Sequence, residues 1–284
     1  MSSPTPIVPN FDALSLHEGM PAPSQSGTRA SLGTLTGIAH PINQDMITHQ
    51  PGLFSGVADG VGGGANGEVA SRLLIQQISS RLPKSEISAK DELASIDRHI
   101  AHALYELGDG PGASVFAAAW PLDDRHDWQT LWVGDCQVTH YQYLGTHWQI
   151  SWQSQAQTYL THHLTPPVGV APDSPANMVG SGLSLAPGWH RFTANSGDRI
   201  VIASDGFHKA FSASETLDLL AQAKAPLALQ TAQEWCYMAR QRGSQDDISV
   251  VILEIAPSPI SYRLVLGTSI LLSAMIVTIA LLFI

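Results

Sequence analysis

Basic residues are scarce in this chain. Fourteen Lys and Arg stand against 24 Asp and Glu, a formal net charge of −10. A nucleic-acid binder needs a basic face to neutralise backbone phosphates, so nucleic acid is not an expected partner. Charge of either sign is sparse, at 13% of residues against 44% hydrophobic, which allows a large buried core. Cysteine is nearly absent. Cys136 and Cys236 lie in apolar surroundings, VGDCQV and EWCYM, which excludes a disulfide scaffold and suits a reducing cytoplasm. The N-terminus has no basic stretch followed by an apolar one, so no secretory signal is expected there. Its Pro, Ser and Gly content predicts a flexible segment over 1–27. No internal repeat is visible.

One absence is local. Residues 264–284, LVLGTSILLSAMIVTIALLFI, carry no charge. At 1.5 Å per residue such a helix is about 31 Å long, the thickness of a bilayer's hydrocarbon core. A single transmembrane helix is therefore expected over 264–284, with membrane lipid around it. Pro257 and Pro259 mark a short linker over 257–263, and Arg263 before the span agrees with a cytoplasmic location for what precedes it.

The stretch 28–256 reads as one domain. Strand-like runs include LFSGVA (from Leu53), SVFAAAW (from Ser114), QTLWVG (from Gln129), QVTHYQYL (from Gln137), HWQISW (from His147), RIVIAS (from Arg199) and ISVVILEI (from Ile248). Leu93, Ile96, Ile100, Leu104 and Leu107 recur at helical spacing, with Ser88 and Asp91 as a capping start. A second helix is predicted from near Asn66, with Ala70, Leu74, Ile78 and Leu82 on one face. Two more fit Ser214 to Ala223 and Leu227 to Gln241. Neighbouring strands joined by short turns, such as Gly145-Thr146, predict an α+β sandwich of antiparallel sheets with helices outside. Trp128, Trp132, Trp148 and Trp152 read as packing, and His162 and His163 as loop residues.

The aspartates fall at strand ends. Asp59 and Asp205 each close an apolar run and are followed by Gly60 and Gly206; Asp135 closes TLWVG; Asp246 and Asp247 precede ISVVILEI. Taken singly, Asp-Gly at a strand end is a common turn. Four strands delivering carboxylates together suggest a site for a hard cation such as Mg²⁺ or Mn²⁺, which takes oxygen ligands.

In order along the chain, NQD (Asn43 to Asp45), ADGVGGGANGEVAS (from Ala58), VGDCQV (from Val133), GDRIVIASDGF (from Gly197) and SQDDISVVIL (from Ser244) resemble the protein phosphatase 2C family, closest to its bacterial branch. The resemblance covers about 28–255. It implies two antiparallel sheets flanked by helices and a centre of two Mn²⁺ or Mg²⁺ ions, with a third, weaker ion. It further implies that Asp59 bridges both ions, that the Gly60 carbonyl binds one, and that Asp205 and Asp246 hold the other. Asp135 would serve the third ion, and Asp45 would orient the attacking water. Asp247 takes a position usually held by asparagine, beside the ligands.

The implied activity is hydrolysis of phosphoserine and phosphothreonine on proteins by a water activated between two metals. That makes phosphorylated proteins, and a Ser/Thr kinase acting on them, the expected partners, with the bacterial inner membrane as the site of action. Three positions depart from the pattern. His40 stands where the family places a phosphate-gripping arginine, and is the expected substrate contact, with Arg29 as another candidate cation. Gln44 stands where some relatives carry glutamate. Val61 and Gly64 stand where relatives carry a histidine general acid. A phosphatase-like binding or scaffolding module of low activity is the alternative function.

Overall fold

A computed structural model describes residues 27–256 except 39, 62–65, 109, 123–125 and 224. Its strands are β1 (Thr28–Leu35), β2 (Met46–Gln50), β3 (Phe54–Val61), β4 (Ala113–Pro121), β5 (Asp127–Val133), β6 (Gln137–Tyr143), β7 (Trp148–Gln153), β8 (Gly188–Thr193), β9 (Arg199–Ala203) and β10 (Ile248–Ile255). Its helices are α1 (Gly67–Ser80), α2 (Glu86–Leu107), α3 (Asp205–His208), α4 (Ala213–Gln222) and α5 (Thr231–Gln241). Two antiparallel five-stranded sheets form, ordered β1-β10-β9-β6-β7 and β2-β3-β4-β5-β8.

Strand β4 explains the layering. Phe116, Ala118 and Trp120 pack under α1 and α2, while Val115, Ala117 and Ala119 enter the space between the sheets. On the other sheet Ile248, Val250 and Ile252 of β10 pack under α4 and α5, and Val251, Leu253 and Ile255 face inward. Both strands are buried along almost their whole length and are mostly apolar because both of their faces are covered. The helices add their own stripes, Leu93, Ile96, Ile100 and Leu104 from α2 and Trp235, Cys236 and Ala239 from α5. Each large side chain buried this way contributes about 1.5–3 kcal/mol.

The same alternation aims the site. Val57 faces the seam between the sheets, so Asp59, two residues on, does too; Asp247 shares the inward face of Ser249 and Val251 by the same count. Two residues at facing strand ends are thereby delivered to one edge of the sandwich.

Three strands escape the apolar pattern. β2 and β8 are edge strands, partly exposed along their lengths. β1 carries Gly33, where a Cβ would lie 2.4 Å from the Ala232 carbonyl carbon, so α5 crosses close above it and the glycine interrupts the hydrophobic run. The expected start of α2 at Ser88 is corrected to Ser85, whose side chain accepts from Ser88 N while Ser88 returns the bond. The expected start of α5 at Leu227 moves to Thr231; Leu227 N instead donates to the Glu254 carboxylate. Leu82 falls beyond α1, and Leu107, at the last turn of α2, is 53% exposed. Among the described residues no helix is long and apolar enough to cross a membrane. The span expected over 264–284, its linker and the segment before residue 27 lie outside the described residues.

Candidate metal centre

At the sandwich edge a cavity of about 190 Å³ is lined by His40, Gln44, Asp59, Gly60, Val61, Asp135, Pro175, Asp205 and Asp246. Five of the seven expected site residues are on that wall with His40, and Asp45 stands behind it. Asp59 arrives at the end of β3. Asp135 follows Gly134, whose φ of +86° turns the chain between β5 and β6. Asp205 opens α3 directly after β9, and Asp246 ends the loop before β10. Gly60 is required: a Cβ there would meet the Gly67 backbone at 2.3 Å, and that approach seats α1 against the site.

Backbone bonds hold the carboxylates in place. Ser114 Oγ donates to the Asp59 carbonyl (2.8 Å), and His208 Nε2 to the Asp135 carbonyl (2.7 Å). Arg240 Nη2 donates to the Asp246 carbonyl (2.9 Å). Asp45 Oδ2 accepts from Ser204 Oγ at 2.9 Å, while the buried Oδ1 of Asp45 and of Asp205 have no partner among the described residues.

Asp247 is nearly sealed, at 2% exposure. Its Oδ1 accepts from Gly37 N (2.5 Å), and its Oδ2 from Gln44 N (2.8 Å) and His40 Nδ1 (2.9 Å). It therefore ties the β1–β2 loop to β10.

The electrostatics show what the cluster lacks. Burial, then Asp45, Asp205, Asp135 and Asp246, raises the Asp59 carboxyl well above the usual carboxylate range. Burial and then Asp205 push Asp135 up to about 7. Burial raises Asp45 strongly against two serine hydrogen bonds that lower it, and burial followed by Asp205 raises Asp246. Carboxylates crowded this way need positive charge between them. Lys209 supplies some, its Nζ lying 2.7 Å from Asp205 Oδ2 and 3.9 Å from Asp173. An all-oxygen acidic donor set with two orphaned buried oxygens fits Mg²⁺ or Mn²⁺.

A larger cavity of about 840 Å³ lies at the far end of β10, beside Arg29, Trp148, Arg199 and Glu254. There Arg29 and Arg199 both pair with Glu254, at 3.1 and 2.9 Å. Arg29 is thus held away from the carboxylates and is no phosphate grip. The expected site residues line the smaller cavity.

The sequence did not reveal Lys209, Ser204 or the hub role of Asp247. Lys209 lies four residues after Asp205 on one helical turn, a spacing that pairs charges and could have signalled it. His208 buttresses Asp135 through its carbonyl. His162 and His163 lie in the long β7–β8 loop, His163 with φ +53°. The tryptophans pack as expected: Trp128 and Trp132 are buried and Trp152 stacks on His190 at 4.2 Å.

No protein-family model matches the chain, and no curated protein does. Solved structures do. PppA, a regulatory component of T6SS in Pseudomonas aeruginosa, is 21% identical over 80% of this chain and 97% of its own, with a TM-score of 0.63. The Mycobacterium tuberculosis serine/threonine phosphatase PstP is 19% identical over 81% and 99%, with a TM-score of 0.65; its catalytic domain is also known with two manganese ions. Stp1, the serine/threonine phosphatase of Staphylococcus aureus, is 18% identical over 80% and 95%, TM-score 0.65. With its sheet order, flanking helices and acidic edge described, the chain has the fold of the bacterial protein phosphatase 2C-type Ser/Thr phosphatases.

Proposed function

We propose that the protein is a metal-dependent protein serine/threonine phosphatase, tethered to a bacterial inner membrane through 264–284 with its catalytic domain in the cytoplasm, and opposing a Ser/Thr kinase. The observation that carries the phosphatase assignment is the meeting of Asp59, Asp135, Asp205 and Asp246 on one cavity of a phosphatase 2C fold, with Asp205 Oδ1 left without a partner there. Two divalent cations bound there supply an acidified water and neutralise charge on the phosphoryl group.

The chain's own groups do the rest. Asp59, at the seam, would help hold the ions together with Asp205 and Asp246, which approach from the other sheet. Asp135, fixed through its carbonyl by His208, holds a further position at the edge. Asp45, anchored by Ser204 on one oxygen, keeps the other free to orient water. Membrane tethering rests on the uncharged segment 264–284 alone.

The test is hydrolysis of a phosphothreonine peptide by the full chain in detergent. Turnover with Mn²⁺, its loss in EDTA, and a fall of orders of magnitude in Asp59→Asn and in Asp205→Asn are expected. Undiminished turnover in EDTA would remove the metal mechanism. Mn²⁺ and phosphopeptide binding without turnover would favour the scaffolding alternative.

A further inference from the structure

His40 departs from the phosphatase pattern, and its hydrogen bonding says what the departure does. Its Nδ1 lies 2.9 Å from Asp247 Oδ2. Both Asp247 oxygens already accept backbone N–H groups, from Gly37 and Gln44, which makes this carboxylate an acceptor and assigns the shared proton to Nδ1. The other ring nitrogen, Nε2, makes no hydrogen bond among the described residues, and the ring borders the cavity with Asp59, Asp205 and Asp246. In the tautomer so imposed, Nε2 carries a lone pair. A lone pair repels a phosphate oxygen, itself an acceptor, and attracts a cation.

Imidazole with one nitrogen on a carboxylate and the other toward a cavity is the arrangement that orients histidine ligands in metal sites. His40 Nδ1 lies 4.0 Å from Asp246 Oδ1 as well as 2.9 Å from Asp247 Oδ2, so the ring stands beside Asp246, and with Nδ1 held by Asp247 it is Nε2 that is left for an ion shared with Asp246. The buried, unpartnered Asp205 Oδ1 on the same cavity is a second sign that a ligand completes this wall.

We propose that His40 Nε2 is a nitrogen ligand to a divalent transition-metal ion shared with Asp246, and that Asp247 is the positioning residue that fixes the ring for it. The proposal rests on the metal-centre reading above and deepens it. A guanidinium at this place would repel the ion, whereas the neutral imidazole offers it a lone pair. It also biases the site chemically: imidazole adds most affinity for Fe²⁺, Co²⁺ or Zn²⁺, less for Mn²⁺ and least for Mg²⁺.

The experiment uses the full chain in detergent micelles loaded with Mn²⁺ alone. Binding is read from loss of the free-ion resonance, and nitrogen ligation from ¹⁴N modulation of the electron spin echo. Wild type is expected to show ¹⁴N modulation. His40→Gln, whose amide can still donate to Asp247 but offers no ring nitrogen, is expected to lose it. Its Mn²⁺ affinity should fall about tenfold while Mg²⁺ affinity stays within about twofold. Asp247→Asn should weaken Mn²⁺ binding by about 10- to 100-fold and diminish the modulation, as for other groups that orient a ligating histidine. Bound Mn²⁺ without ¹⁴N modulation in wild type, or modulation that survives in His40→Gln, overturns the proposal and leaves the carboxylate centre standing. Modulation that arises only after inorganic phosphate is added would put the ring on the phosphate and overturn it as well. A chain that binds no Mn²⁺ at all overturns both this proposal and the metal-centre reading beneath it.

Discussion

A metal ion bound as proposed above would compete with Lys209 for Asp205. With Nζ 2.7 Å from Asp205 Oδ2, and half exposed, the lysine supplies part of the positive charge the carboxylates need. Lys209→Met is therefore expected to tighten Mn²⁺ binding about fivefold, the weight of a solvent-screened ion pair of about 1 kcal/mol, measured by Mn²⁺ titration. Unchanged or weaker binding would show that the lysine does not oppose the ion. The crowded carboxyls make a second prediction, for protein stripped of metal by EDTA. Asp59, Asp45 and Asp246 are raised and Asp135 stands at about 7, so the folded chain binds more protons than the unfolded one between the ordinary carboxylate range and that value. Stability then falls as pH rises through that window. The melting temperature in EDTA should be higher at pH 6 than at pH 8, and excess Mn²⁺ should abolish the difference. A flat or opposite profile would mean the carboxylates do not meet. The aspartates on the cavity wall could be picked out in the sequence because each closes or opens an apolar run. Asp247 could not be understood that way, since its donors Gly37 and Gln44 lie about two hundred positions away and reach it only through the pairing of β1 with β10.

At the level of elements, helix starts were the less legible part. The stripe Leu93, Ile96, Ile100 and Leu104 announces α2, yet its first turn is set by a reciprocal pair of serines three residues before the expected start. Serine answering serine gives no acidic cue. Ser85→Ala should cost about 1 kcal/mol of stability, the usual value for a lost cap, and should leave Mn²⁺ affinity unchanged, because α2 packs outside the sheet and away from the cavity. Equilibrium denaturation alongside Mn²⁺ titration separates the two effects; a loss of metal binding would mean the helix reaches the site. Strands covered on both faces, β4 and β10, were legible as unbroken apolar runs. The edge strands β2 and β8, half in solvent, carry too weak a pattern to stand out, and Gly33 hides β1 by yielding its side chain to the crossing of α5.

Across the whole molecule, the site and the chain's described ends occupy opposite limits of one strand. Asp246 and Asp247 precede β10, and Ala256 follows it, its N–H donating to the Gly27 carbonyl at 2.6 Å. Eight strand residues put roughly 26 Å between them. If 264–284 is the anchor proposed above, the full protein should sediment with membranes, resist extraction by high salt and be released by detergent; recovery in the soluble fraction without detergent would end that proposal. The meeting of Gly27 and Ala256 has another consequence. Because the first and last described residues already touch, the order in which the strands are strung is separable from the shape they make. A short linker joining residue 27 to residue 256 would close the chain into a ring, and the exposed β6–β7 turn at Gly145, where φ is +84° and no neighbour lies within 4 Å of an added Cβ, offers a place to cut new termini. The rearranged polypeptide would keep every carboxylate at its edge while its ends emerged from another side of the body.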